Sequence, residues 1–307
     1  MRYALTYPIL GHPCDPELTS GPGVAAVATA AETAGFDALG FTDHPAPTQR
    51  WLDAGGHDAL DPFAAMAFAA AHTTTLRLIP NIVVLPYRNP FVVAKAGATL
   101  DRLSGGRFTL AVGTGYLKRE FGALGVDFEQ RRELLDEGLA VIRGIWTTDD
   151  YSFEGKHFTA RGITAHPRPI TRPHPPIWIG GNTGAARRRV AIHGDGWCPF
   201  AAPATLADTA GTAAMTSYET LARGIADLRR RCDAEGRDWS TLDISFNNIV
   251  GGSPGRPDFD ADAYLEGLES LAALGVTCVQ VPFPGVGVDQ LIEELDRFRA
   301  TVIDVYK

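Results

Sequence analysis

The chain has 307 residues, a formal net charge of −8, 45% hydrophobic residues and 21% charged residues. That is an ordinary globular balance, and it is long enough for one α/β barrel of about 250 residues plus insertions. The acidic charge argues against a general nucleic-acid binder, and no apolar run reaches the ~18 residues needed to span a bilayer, so neither nucleic acid nor membrane is an expected partner.

Met1 leads almost at once into a strand-like run at Tyr3–Ile9, so no signal peptide is expected. Val24–Ala34 has helical spacing and is closed by Gly35. Ala38–Thr42 is the second predicted strand, and a long loop with Pro45, Pro47, Gly55 and Gly56 follows it. Asp61-Pro62 starts a helix through Ala71, with aspartate as N-cap and proline in the first turn. Leu76–Leu85 is predicted strand three, Phe91–Leu103 a helix and Phe108–Val112 strand four. Glu129–Trp146 is again helical. Tyr151–Pro175 lacks a helical period and reads as an inserted excursion, such as a hairpin. Pro176–Gly180, Gly196–Pro199, Leu242–Val250 and Thr277–Pro282 complete the strands, separated by helices at Ala185–Ile192, Met215–Cys232 and Ala263–Leu274 and followed by one at Val288–Val305.

Eight strands alternating with helices demand a parallel sheet, and the count of eight favours a closed barrel. The first turn, Gly11-His12-Pro13, is not the GxGxxG that an open nucleotide-binding sheet would carry. In a barrel, chemistry sits at the C-terminal ends of the strands. Strand two ends in Thr42-Asp43-His44, a carboxylate beside an imidazole that titrates near neutral pH. Asn81 interrupts the apolar third strand, where a polar residue marks either a bulge pressed on a ligand or a buried, bonded side chain. Gly113-Thr114-Gly115 leaves bare backbone at the end of strand four. Gly180-Gly181-Asn182 precedes a helix whose free amides suit a phosphate, with Arg187, Arg188 and Arg189 one turn on. Gly251-Gly252-Ser253-Pro254-Gly255 matches a nucleophile elbow in letters alone. Pro254 has no N–H for an oxyanion hole, so a serine hydrolase is rejected. No HExxH or other metal-ligand spacing occurs. The scattered Cys14, Cys198, Cys232 and Cys278 predict reduced thiols in the cytoplasm.

Taken together, PNIVVLPYRNPFVVAKAGATLDRLSGGRFTLAVGTG, PPIWIGGNTGAARRRVAIHGDGW, GFTDH and LDPFAAMAFAAAHTTTLRL resemble the bacterial luciferase-like family of flavin- and deazaflavin-dependent oxidoreductases. The stretch FEGKHF…HPRPITRPHPPIWIGG resembles the branch that depends on coenzyme F420. The resemblance implies an α/β (β/α)8 TIM barrel over residues 1–307, one domain with an insertion at about 150–175. It implies hydride transfer between the deazaflavin C5 and a small organic substrate, in a homodimer packed through the helices after strands two and three. His44 is then the expected general acid or base, oriented by Asp43. Asn81-Ile82 falls where the family often has a non-prolyl cis peptide behind the ring, Thr114 where it contacts the cofactor, and Gly180, Gly181 and Asn182 where it holds the ribityl-phosphate chain. One departure stands out: some deazaflavin-dependent sugar dehydrogenases have glutamate directly after Gly-Thr-Gly, where this chain has Tyr116. Glu120, four residues on, is the nearest carboxylate, and either Tyr116 or Glu120 is the expected assistant. The anionic cofactor tail is assigned to Arg187–Arg189 or to the Arg161–His174 segment. Substrate choice is assigned to Pro45–Leu60 and Tyr151–Pro175. The alternatives are an FMN-dependent monooxygenase of the same fold, which would consume oxygen, and a non-catalytic flavin-binding protein.

Overall fold

The computed structural model describes residues Met1–Tyr306. In chain order the elements are β1 (Arg2–Thr6), α1 (Gly21–Thr33), β2 (Ala38–Gly40), α2 (Gln49–Asp53), α3 (Pro62–Ala71), β3 (Arg77–Leu78), β4 (Val83–Val84), α4 (Pro90–Leu103), β5 (Leu110–Gly113), α5 (Lys118–Ala123) and α6 (Arg131–Thr147). Then come β6 (Tyr151–Glu154), β7 (Thr159–Ile163), β8 (Ile177–Gly180), α7 (Gly184–His193), β9 (Gly196–Cys198), α8 (Ala204–Thr209), α9 (Tyr218–Ala234), β10 (Asp243–Asn247), α10 (Ala261–Leu274), β11 (Cys278–Pro282) and α11 (Val288–Phe298).

Nine parallel strand segments pair in the order β3-β2-β1-β11-β10-β9-β8-β5-β4. β3 and β4 are the two halves of one strand, interrupted by a cis peptide between Asn81 and Ile82. Counting them once leaves eight positions. A parallel bridge between Leu78 and Phe108 joins the two ends of the order, so the sheet closes as an α/β barrel. The strand expected at Leu76–Leu85 is thus split in two, and those expected at Tyr3–Ile9, Ala38–Thr42 and Leu242–Val250 end earlier, at Thr6, Gly40 and Asn247.

Helix starts follow local chemistry. Ser20, Asp61, Asn89 and Thr183 each accept a backbone N–H in the first turn of α1, α3, α4 and α7, and prolines sit in the first turns of α1, α3 and α4. α9 starts at Tyr218, three residues later than the apolar spacing predicts. There Ser217 and Thr220 form a reciprocal capping box that outweighs the apolar signal of Met215.

The period of two along each strand sorts the core. Leu5, Leu39, Val112, Ile179, Phe246 and Val279 point outward into the shell between sheet and helices. Ala4, Ala38, Ile79, Ala111, Trp178, Cys198 and Cys278 form a separate cluster. They alternate with that outward set and fill the barrel interior. Above that plug, the inward register passes to Thr6, Gly113, Gly180, Asn247 and Gln280, residues too small or too polar to fill the mouth. The chain therefore builds an open upper end by its own alternation.

β6 and β7 form an antiparallel hairpin outside the barrel. Glu137 on α6 accepts the amides of Lys156, His157 and Phe158, and fully buried Asp101 on α4 accepts those of Ile170 and Thr171. Two carboxylates thus pin the insertion to the helical shell.

Candidate active site

A cavity of about 610 Å³ occupies the C-terminal mouth of the barrel. One wall is polar. The segment after β2 delivers Thr42, Asp43 and His44, and the segment after β5 delivers Thr114 and Tyr116. β8, which pairs with β5, adds bare backbone at Gly180 and Gly181, followed by Thr183 and Ala186 at the start of α7.

The two carboxylates near His44 have different partners. Asp43 was expected to orient the imidazole. Its carboxylate is instead held by Arg88, at 2.5 and 2.8 Å, and by the amide of Val84 at 2.8 Å. It fastens the end of β2 to β4 and the turn behind it, and the pair is correspondingly buried. Glu120 takes the orienting position. Its Oε2 lies 3.2 Å from His44 Nδ1, and it accepts from Tyr87 Oη at 2.7 Å and from the Ala46 amide at 2.8 Å. Burial pushes the Glu120 carboxyl up, but the hydrogen bonds from His44, Tyr87 and Ala46 outweigh it and hold the group below its ordinary range. A carboxylate only accepts, so His44 Nδ1 carries the proton and Nε2 is the free position. Tyr116 Oη lies 3.5 Å from that Nε2, and burial, with the charge of Glu120, pushes its hydroxyl up to about 12, so it stays a donor. Trp51 on α2 and His57 close the ring's surroundings, with centroids 4.6 and 5.1 Å from His44.

The glycines are required by close approach. A Cβ at either Gly113 or Gly180 would lie 2.4 Å from Ile82 Cδ1, so the side chain after the cis peptide rests on two bare strand ends. Gly115 has φ +73°, and a Cβ there would lie 2.5 Å from Val84. Asn81 donates to Thr6 Oγ1 at 3.1 Å and lines the cavity beside Ile82. Thr42 Oγ1 is buried with no hydrogen-bond partner among the described residues.

Asn182 does not face the cavity. Its side chain donates to the carbonyls of Phe200 and Ala213 and accepts from the Phe200 amide, so it ties α7 to the loop after β9. The arginine cluster is also divided. Arg187 pairs with Asp227 at 2.7 Å, Arg189 pairs with Asp136 at 2.5 Å while lining the cavity edge, and Arg188 is exposed. None of the described residues of the Tyr151–Pro175 insertion lines the cavity. His57, Asn247 and Gln280 line the mouth without having been singled out in the sequence. Asn247 and Gln280 carry the same signal as Asn81, a polar residue in an apolar strand. His57 sits in a loop with no periodicity to mark it.

Residues 15–250 match the luciferase-like monooxygenase family. The chain is 29% identical over 287 residues to an F420-dependent glucose-6-phosphate dehydrogenase of Beutenbergia cavernae, covering 92% of this chain and 77% of that protein. It is 38% identical over 120 residues to an FMNH(2)-dependent dimethylsulfone monooxygenase of Pseudomonas putida, a match spanning 38% of this chain and only 33% of that enzyme. In three dimensions it superposes on an F420-dependent secondary alcohol dehydrogenase with a TM-score of 0.78 over 100% of this chain and 99% of the other, at 18% identity, a likeness of fold. A closed parallel barrel whose mouth carries an imidazole and bare glycine strand ends, in a sequence matched over most of its length, is a luciferase-like oxidoreductase: the chain belongs to the luciferase-like monooxygenase family.

Proposed function

We propose that the protein transfers a hydride between coenzyme F420 and a small organic substrate, with His44 moving the substrate's proton. The observation that carries the reading is the Glu120–His44 pair, an imidazole with one nitrogen committed to a carboxylate and the other an acceptor on the cavity wall. Glu120 sets the tautomer and stabilises the imidazolium when Nε2 takes a proton. Tyr116 Oη, 3.5 Å from the same nitrogen, occupies that lone pair until the substrate's hydroxyl takes its place. Asp43 is a positioning residue here, since it acts on His44 only through the backbone of β2.

The residues present fit a flat cofactor. Ile82, seated on Gly113 and Gly180, gives an apolar floor, and Thr42 Oγ1 offers a buried hydroxyl without a partner among the described residues. Gly181, with φ +106°, and the first turn of α7 offer main-chain approach for an anionic tail. When bound, a deazaflavin supplies a carbon hydride donor or acceptor that reacts poorly with oxygen. The B. cavernae relative is named for that cofactor and matches nearly the whole chain, whereas the FMN-named relative matches a shorter segment.

An FMN-dependent monooxygenase is the second reading, favoured by the higher identity of that shorter match. Titration with coenzyme F420 and with FMN, followed by their fluorescence, separates the two. Saturable F420 binding is expected. Tight FMN binding with no response to F420, together with oxygen consumption on reduction, overturns the proposal. The same reading includes a homodimer through α3 and α4, which leave Phe68, Val92 and Leu103 exposed; a monomer in sedimentation velocity would remove that part.

A further inference from the structure

His57 has no part in the reading above, yet it lines the same cavity. It is held firmly. Gly56, before it, donates to the Trp51 carbonyl at 2.9 Å, and Asp58, after it, is bound to the β1–α1 loop. Asp58 accepts from the Cys14 amide at 2.9 Å, faces His12 Nδ1 at 2.8 Å, and donates its own amide to Gly11 O at 3.2 Å. His57 Nδ1 lies 2.9 Å from the carbonyl of Asp58. A carbonyl only accepts, so Nδ1 carries the proton and Nε2 is a bare lone pair in the neutral ring. Burial holds this imidazole below its ordinary range, and the nearby His44 acts in the same direction, so the ring stays neutral near pH 7. Among the described residues, Nε2 has no hydrogen-bond partner.

The cavity therefore presents two imidazoles with the same tautomer, their rings 5.1 Å apart and inclined by 74°. In each, Nδ1 is committed and Nε2 is an acceptor with no N–H to offer; that of His44 has the Tyr116 hydroxyl 3.5 Å away, and that of His57 has no side-chain donor among the described residues. A substrate with a single hydroxyl at His44 would bury the His57 lone pair unanswered, which is unfavourable. Two hydroxyls on adjacent carbons answer both acceptors, since each needs a donor about 2.8 Å away.

We infer that His57 is a specificity residue that selects substrates carrying a second hydroxyl on the carbon next to the reacting one, a vicinal diol rather than a simple alcohol. The inference rests on the proposed reading only in taking the hydroxyl at His44 as the reacting one; the recognition itself needs no hydride transfer.

Calorimetry tests it with matched probes, cyclohexane-1,2-diol and cyclohexanol, on protein loaded with whichever of coenzyme F420 or FMN it binds. The wild-type protein is expected to bind the diol about tenfold more tightly, the effect of one extra buried hydrogen bond. His57→Phe should bring the ratio to about one, by losing the second hydrogen bond to the diol and by relieving cyclohexanol of an unanswered acceptor. His57→Gln, which restores an acceptor oxygen, should recover part of the preference, and it serves as the test if the Phe variant does not fold. A ratio of one in the wild type, an unchanged ratio in His57→Phe, or no binding of either probe overturns the inference. Cofactor reduction is followed separately. A diol preference that depends on His57 without any reduction would sink the proposed reaction and leave His57's role standing.

Discussion

Asp43 and Glu120 are both buried carboxylates within reach of one loop, and they do different work. Asp43 is the chain neighbour of His44 and touches it only through the backbone. Glu120 is far away in sequence and bonds to its ring. The strand geometry explains the difference. Successive side chains at a strand end point to opposite sides, so if His44 faces the cavity, Asp43 must turn back into the wall. There it meets Arg88 from the turn after β4. The imidazole must find its carboxylate on another element, and α5 supplies it. Sequence adjacency thus marks a structural support, and tertiary proximity marks a chemical partner.

Four experiments bear on this contrast. The largest effect is expected for His44→Ala, which removes the proton carrier itself. Turnover should fall by about 10²–10⁴-fold with cofactor affinity largely intact. Unchanged turnover in steady-state kinetics would end the assignment. Glu120→Gln comes next. It keeps the shape but loses the anionic acceptor that sets the tautomer, and turnover should fall by about 10²-fold. Its effect should be on the rate far more than on substrate affinity; a pure change in KM would make Glu120 a binding residue instead.

Asp43→Asn should show the opposite balance. It takes the buried anion from the Arg88 guanidinium and leaves it only the exposed Asp61 at 3.3 Å, so stability should drop by about 2–3 kcal/mol in urea denaturation. The pH–rate profile of the surviving enzyme should keep its shape. If Asp43→Asn moves that profile and Glu120→Gln does not, the roles assigned here are reversed.

The smallest effect concerns a third carboxylate, remote from the site. Glu32 accepts the amides of Thr74, Thr75 and Leu76 ahead of β3. Burial pushes its carboxyl up, but those hydrogen bonds outweigh that and hold it at about 2 against an ordinary 4.5. A lowered folded-state value gives stability that is fully present above the unfolded value and lost as pH falls through the folded one. The gap in stability between wild type and Glu32→Gln should therefore be constant from pH 6 to 8 and shrink between pH 4.5 and 2. A gap that persists at pH 2 would show that the loop's shape, not the charge, is what matters. Turnover should not change.

Much of the site was legible before any coordinates. The strand ends at Asp43-His44, Gly113-Thr114 and Gly180-Gly181 do line one cavity, and Asn81 does mark an irregular backbone. The arginine run was misleading because a helix distributes consecutive residues around its circumference. Arg187, Arg188 and Arg189 therefore meet Asp227, solvent and Asp136 in turn. Asn182 was misleading for a related reason: it neighbours two glycines that face the cavity, but its own side chain turns to the loop after β9.

The amino-acid sequence by itself determined the alternation of strands and helices, the barrel, and which strand ends carry polar or bare residues. Those properties depend on periodicity and on single-residue chemistry, both of which are local. Only the tertiary structure decided that Glu120 rather than Asp43 binds His44, that His57 joins the same wall, and that the Tyr151–Pro175 insertion lies on the outer shell. Each depends on contacts between segments far apart in the chain. The direction in which a side chain leaves a packed element is set by the neighbours that surround it.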